Sequence, residues 1–141
     1  MQSERDSHSP LELRHDDRLG GGPILDRDAF AALEELAGLD DPDLVAEIVE
    51  LYLDDSLVRV SEVESGRRSS EFGRIGSAAH ALKSASANIG ALTFSEACAD
   101  LEAATRVRGG VDLDEIERLC DRAMQMYAEV RTALGLLDCA D

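Results

Sequence analysis

Apolar residues recur every three or four positions through most of this chain, a period that belongs to helices with one buried face. Asp26 suits the N-cap of a short helix whose face is Phe30, Leu33, Leu36 and Ala37 and whose stop is Gly38. Asp41-Pro42 reads as N-cap and first-turn proline of a long helix, with Leu44, Ile48, Leu51, Tyr52, Val58 and Val63 turned inward and Gly66 ending it. Arg67-Arg68-Ser69-Ser70 then forms a connector, and the next helix covers residues 71–89, with Gly90 in the C′ position. Thr93-Phe94-Ser95-Glu96 has capping-box spacing and opens a helix that points Phe94, Ala97, Cys98, Leu101 and Ala104 inward until Gly109-Gly110. Asp112 and Glu115 repeat the capping pattern ahead of Leu113, Ile116, Cys120, Ala123, Tyr127, Val130 and Leu134. Four helices of about 15 to 24 residues with short turns predict an all-α fold, an antiparallel up-down-up-down four-helix bundle with an additional short N-terminal helix.

Residues 1–23 lack an apolar period and run through Gly20-Gly21-Gly22-Pro23, so they are expected to be a disordered tail that takes His8 and His15 with it. The bundle domain is expected over 24–136, with a fraying tail over 137–141. A chain of 141 residues suits a single domain. Three Phe, two Tyr and no Trp, against abundant Ala, Leu and Glu, favour helices over sheet.

The charge narrows the partners. Thirty acidic residues against fourteen basic give a formal charge of −16, which repels nucleic acid and anionic membrane alike. Cys98, Cys120 and Cys139 are odd in number and have no C-x-x-C spacing, so neither a disulfide framework nor a zinc site is expected. No stretch reaches the roughly 18 apolar residues of a membrane span, and the N-terminus has no signal-peptide core. A monomeric, cytoplasmic protein is expected.

Candidate chemistry concentrates in Ala78-Ala79-His80-Ala81-Leu82-Lys83-Ser84. At about 100° per residue Phe72, Ile75, Ala79, Leu82, Ser86 and Ile89 share one side, and His80 stands roughly 130° from their mean direction. Beside it on the wheel are Gly73, Gly76, Ser77, Ser84 and Ala87, all small. Two glycines inside a helix each cost about 1 kcal/mol relative to alanine, so a bare face around His80 implies close approach by another molecule. Lys83, at i+3, is the single lysine beside 13 arginines. An exposed imidazole with an ordinary pKa of about 6.5 is largely unprotonated near neutrality and can attack phosphorus. Lys83 would neutralise phosphoryl oxygens, and the Ser84 hydroxyl at i+4 would donate to them. Glu102, 22 residues on in the antiparallel neighbour, is the candidate acceptor for the other ring nitrogen.

His80-Ala81-Leu82-Lys83-Ser84 followed by Asn88-Ile89-Gly90-Ala91 resembles the signature of histidine-containing phosphotransfer (HPt) domains, His-x-Leu-Lys-Gly with a second glycine ten residues after the histidine. Ser84 departs from the first glycine, and the resemblance extends from about Leu25 to Leu134. It implies a phosphorelay intermediate rather than an enzyme with its own ATP-binding domain. Such a carrier accepts a phosphoryl group on histidine from the aspartyl phosphate of a receiver domain, in a response regulator or hybrid histidine kinase, and passes it to another receiver. It also implies a Gln or Glu near the Glu102 position, and magnesium on the partner only, with no metal or cofactor on this chain. Gly73, Gly76, Ser77 and Ala87 become the expected receiver-facing surface. The alternative from a different class is a helical adapter that binds a receiver or kinase without being phosphorylated. A histidine domain phosphorylated directly by a fused kinase, as in chemotaxis kinases, fits less well.

Overall fold

A computed structural model describes residues 24–37 and 42–139. The expected tail over 1–23, the Gly38 stop and the Asp41 cap lie outside those residues. Among the described residues all five elements are helices: α1 (Arg27–Ala37), α2 (Pro42–Ser69), α3 (Phe72–Asn88), α4 (Leu92–Ala104) and α5 (Leu113–Cys139). The last four pack in a ring, each on its neighbours in sequence with α5 closing onto α2, and α1 lies across α2 and α3.

The turns follow from local chemistry. Asp26 caps α1 through its side chain, accepting from the Ala29 amide at 3.1 Å. Gly90, at φ +91°, ends α3, and the Ala91 amide returns to the Ser86 carbonyl at 2.9 Å. The same glycine seats α1: the Asp26 amide donates to the Gly90 carbonyl at 2.7 Å, and a Cβ at position 90 would stand 3.3 Å from the Asp26 carbonyl oxygen. Asp112 caps α5, accepting from the amides of Asp114 and Glu115.

Three expected features are corrected. Gly66 does not stop the second helix, which continues to Ser69. Ser70 takes the left-handed conformation at φ +58° instead, and the Glu71 amide closes the turn on the Gly66 carbonyl at 2.8 Å. Gly66 is glycine because α3 crosses it, since a Cβ there would meet Ile75 Cγ1 at 2.9 Å and the Glu71 carbonyl oxygen at 3.0 Å. Second, Thr93 is not the N-cap of the next helix, a position that falls to Ala91. The helix starts at Leu92 without a side-chain cap, Thr93 is buried, and Ser95 Oγ donates across to the Lys83 carbonyl at 2.8 Å. Third, the last helix runs on through Cys139 rather than fraying after Leu136.

The core is built from Val49, Tyr52 and Val63 of α2, Ile75, Ala79 and Leu82 of α3, Phe94, Cys98 and Leu101 of α4, and Ile116, Cys120, Tyr127, Val130 and Leu134 of α5. The inward face of α2 therefore differs from the expected one: Leu44, Leu51 and Val58 are 36%, 68% and 55% exposed, and Leu113 of α5 is also outside. Two buried hydroxyl pairs fix the register. Tyr52 bonds Ser86 at 2.7 Å and Ser56 bonds Tyr127 at 2.8 Å, so each polar group taken from water has a partner on another helix. Burial raises the Tyr52 hydroxyl well above its ordinary pKa. No described helix is long and apolar enough to cross a membrane.

Candidate functional site

The site lies where the middle of α3 meets the last turn of α4. The two helices run antiparallel after the Gly90 turn, which sets position 80 level with position 102. His80 Nδ1 stands 2.9 Å from Glu102 Oε2. The other carboxylate oxygen, Oε1, accepts from Lys83 Nζ at 3.0 Å. Arg106, one turn beyond Glu102, places Nη1 2.8 Å from Oε2. The Glu102 side chain is only 8% exposed, while His80 is 58%, Lys83 35% and Arg106 60% exposed. A buried carboxylate thus forms the floor, and three cationic or titratable side chains stand on it facing solvent.

Burial works against the negative charge of Glu102. Hydrogen bonds from Lys83 and His80, and the charges of both, outweigh it and hold the carboxyl below the ordinary carboxylate range. An ionised carboxylate only accepts hydrogen bonds, so Nδ1 of a neutral His80 carries the ring proton and Nε2 keeps the lone pair. Nε2 lies on the side of the ring away from Glu102, on a side chain that is 58% exposed. The arrangement offers an outward nucleophile on an anchored ring.

Supporting contacts hold the two helices in register beneath it. Thr105 Oγ1 donates to the Glu102 carbonyl at 2.7 Å, tightening the end of α4. Ser95 ties the start of α4 to the backbone of Lys83.

Of the small residues expected around the ring, Gly73, Ser77, Ser84 and Ala87 are exposed. A Cβ added at Gly73 would meet nothing within 4 Å. Gly76 is a correction. It is buried rather than part of an open face, because the last turn of α4 leans over it and an added Cβ would meet Thr105 Oγ1 at 2.5 Å. Arg106 was not foreseen; its signal in the sequence is the i+4 spacing from Glu102. Among the described residues no group of three or more His, Cys, Asp or Glu side chains is placed to hold a metal ion.

An exposed histidine anchored through one ring nitrogen, halfway along one helix of a four-helix ring, is a narrow structural description. Residues 47–134 match the family described as Hpt domain, well over half of the chain. The chain belongs to the Hpt domain family. The Hpt match covers most of α2 and all of α3 and α4, and it includes every residue of the cluster. Two solved structures share the fold. Histidine-containing phosphotransfer protein B (HptB) from Pseudomonas aeruginosa is 23% identical with a TM-score of 0.74, over 86% of this chain and 99% of that one. A histidine-containing phosphotransfer protein from rice is 21% identical with a TM-score of 0.70, over 97% of this chain and 92% of that one. A search of curated protein sequences found no match. Histidine phosphotransfer in a phosphorelay, with receiver domains as the interacting class, goes with membership of the Hpt family.

Proposed function

We propose that this protein carries a phosphoryl group on His80 Nε2, taken from the aspartyl phosphate of a receiver domain and handed to the aspartate of another. The observation that carries the proposal is the contact at Glu102, which holds Nδ1 of an exposed ring at 2.9 Å and so leaves Nε2 on the far side of the ring. In the forward step the Nε2 lone pair attacks phosphorus, the Nε2–P bond forms, and the P–O bond to the receiver aspartate breaks with the electron pair leaving on the carboxylate. Nδ1 keeps its proton throughout, and Glu102 balances the positive charge that the substituted ring acquires. Lys83 Nζ, on the neighbouring turn, turns from Glu102 Oε1 toward the phosphoryl oxygens, and the exposed Ser84 hydroxyl donates to them. The chain itself supplies positions and charge. Magnesium belongs to the receiver.

The bare outward side of α3 supports docking of a receiver over the ring, with Gly73, Ser77 and Ala87 as the closest approach. An apolar rim continues it. On α2, Tyr52 and Gly66 face α3, and the exposed Leu51 and Val58 come next around that helix at seven-residue spacing. They therefore adjoin the outward side of α3, where a receiver can bury them. Cys98 and Cys120 are free thiols, which fits work in the reducing cytoplasm.

The test is transfer from a phosphorylated receiver to wild type and to His80→Gln, followed by passage to a second receiver. Wild type should become labelled and pass the label on, and His80→Gln should do neither while keeping its helical content. Unlabelled wild type that still binds the receiver would replace the carrier with the adapter.

A further inference from the structure

Lys83 is not the only cation held at the ring. Arg106 lies just past α4, and its amide bonds the Ala103 carbonyl at 3.1 Å, so the last turn fixes where its side chain begins. Its Nη1 and His80 Nδ1 stand 2.8 and 2.9 Å from the same oxygen, Glu102 Oε2, which makes guanidinium and imidazole neighbours. Its Nε passes 3.9 Å from where a Cβ on Gly76 would stand. The side chain therefore crosses α3 over Gly76, one turn before His80, while Lys83 stands nearly one turn after it. Each cation is tied to a different oxygen of Glu102, and the two bracket the ring along the helix.

Stability does not call for this arrangement. An ion pair whose cation is 60% exposed adds little to folding, and Glu102 already has Lys83 and His80 as partners. The charges point elsewhere. Lys83 and Arg106 against one Glu102 leave a local charge of +1 beside the His80 ring, in a chain whose formal charge is −16. A guanidinium has five N–H donors in a rigid fork, and the contact with Glu102 engages one nitrogen. The remaining donors suit the oxygens of a dianionic group on Nε2. Resting on the function proposed above, we infer that Arg106 is a second phosphoryl-binding cation at His80, and that Gly76 is the gap through which it reaches the ring.

The opposing explanation is that Arg106 only neutralises Glu102. Phosphoryl uptake from a phosphorylated receiver, timed for wild type, Arg106→Gln, Arg106→Lys, Glu102→Gln and the Glu102→Gln/Arg106→Gln double variant, separates the two. If Arg106 binds phosphoryl oxygens, Arg106→Gln slows uptake about 10-fold or more at unchanged melting temperature. Arg106→Lys recovers part of the loss, and the Arg106→Gln effect persists when Glu102 is already Gln. Wild-type rates in Arg106→Gln, or an effect that vanishes in the Glu102→Gln background, overturn the inference. A wild type that takes up no phosphoryl at all would instead overturn the function on which it rests.

Discussion

Adding one methyl group at Gly76 should change sign with its neighbour. Alanine is a better helix former than glycine by about 1 kcal/mol, so on an open face Gly76→Ala would stabilise α3. Here the new Cβ meets Thr105 Oγ1 at 2.5 Å, too close for both to stay. Thr105 must rotate or α4 must move. Rotation sacrifices the bond from Thr105 Oγ1 to the Glu102 carbonyl, worth about 0.5–1.5 kcal/mol, and movement incurs the roughly 1–3 kcal/mol typical of overpacking. Against the helix-propensity gain of about 1 kcal/mol, rotation leaves a change near zero and movement leaves a net loss of about 1 kcal/mol. In a Thr105→Ala background the obstacle is gone, since the next contact, Thr105 Cβ at 3.5 Å, is ordinary van der Waals distance. There Gly76→Ala should stabilise by about 0.5–1 kcal/mol, leaving a coupling of about 0.5–2 kcal/mol between the sites. Urea unfolding of the four proteins measures this through midpoints at constant m. Stabilisation by Gly76→Ala in both backgrounds would refute the contact and return Gly76 to the open face.

Gly66 and Gly73 should respond oppositely to alanine. Gly66→Ala destabilises by about 1–2 kcal/mol because a backbone oxygen 3.0 Å from the new Cβ cannot swing away, whereas Gly73→Ala, in open space, stabilises by up to about 1 kcal/mol; like signs in thermal or urea melts would refute this. The lowered carboxyl of Glu102 gives a pH dependence: its contribution is complete above the ordinary carboxylate pKa of about 4.3 and is lost as pH falls through the lower folded-state value. Glu102→Gln should therefore lose stability less steeply than wild type in the acid limb, and parallel limbs would contradict it. Burial pushes the Cys98 thiol up to about 12 and the Cys120 thiol up to about 11, so neither should react with iodoacetamide at pH 8 before unfolding; labelling of either in the native protein would refute their burial.

How much was legible in the sequence varies by helix. The inward faces of α3 and most of α5 follow their apolar period, because each uses one continuous stripe. The α2 helix misleads because it carries large apolar residues on two sides, and one inward position is Ser56, whose partner Tyr127 lies 71 residues away where no local pattern reaches. Its end was misplaced because a serine adopts the left-handed turn expected of glycine, and the glycine four residues earlier serves a helix crossing. His80 and Glu102 were legible together, since an antiparallel pair joined by a short turn fixes which positions are level. Gly76 and Arg106 were not: a helical wheel shows the side a residue occupies but not the neighbouring turn that leans over it.

The most direct test of the central claim is to locate the phosphate. After incubation with a phosphorylated receiver, the chain should be digested at alkaline pH, where phosphohistidine survives, and its peptides sequenced by mass spectrometry beside phosphorus NMR of the intact protein. One acid-labile phosphoryl group per chain, in the peptide containing His80 and bonded to Nε2, is the predicted result. Phosphate on His8 or His15, or on an acid-stable serine or threonine ester, would contradict it.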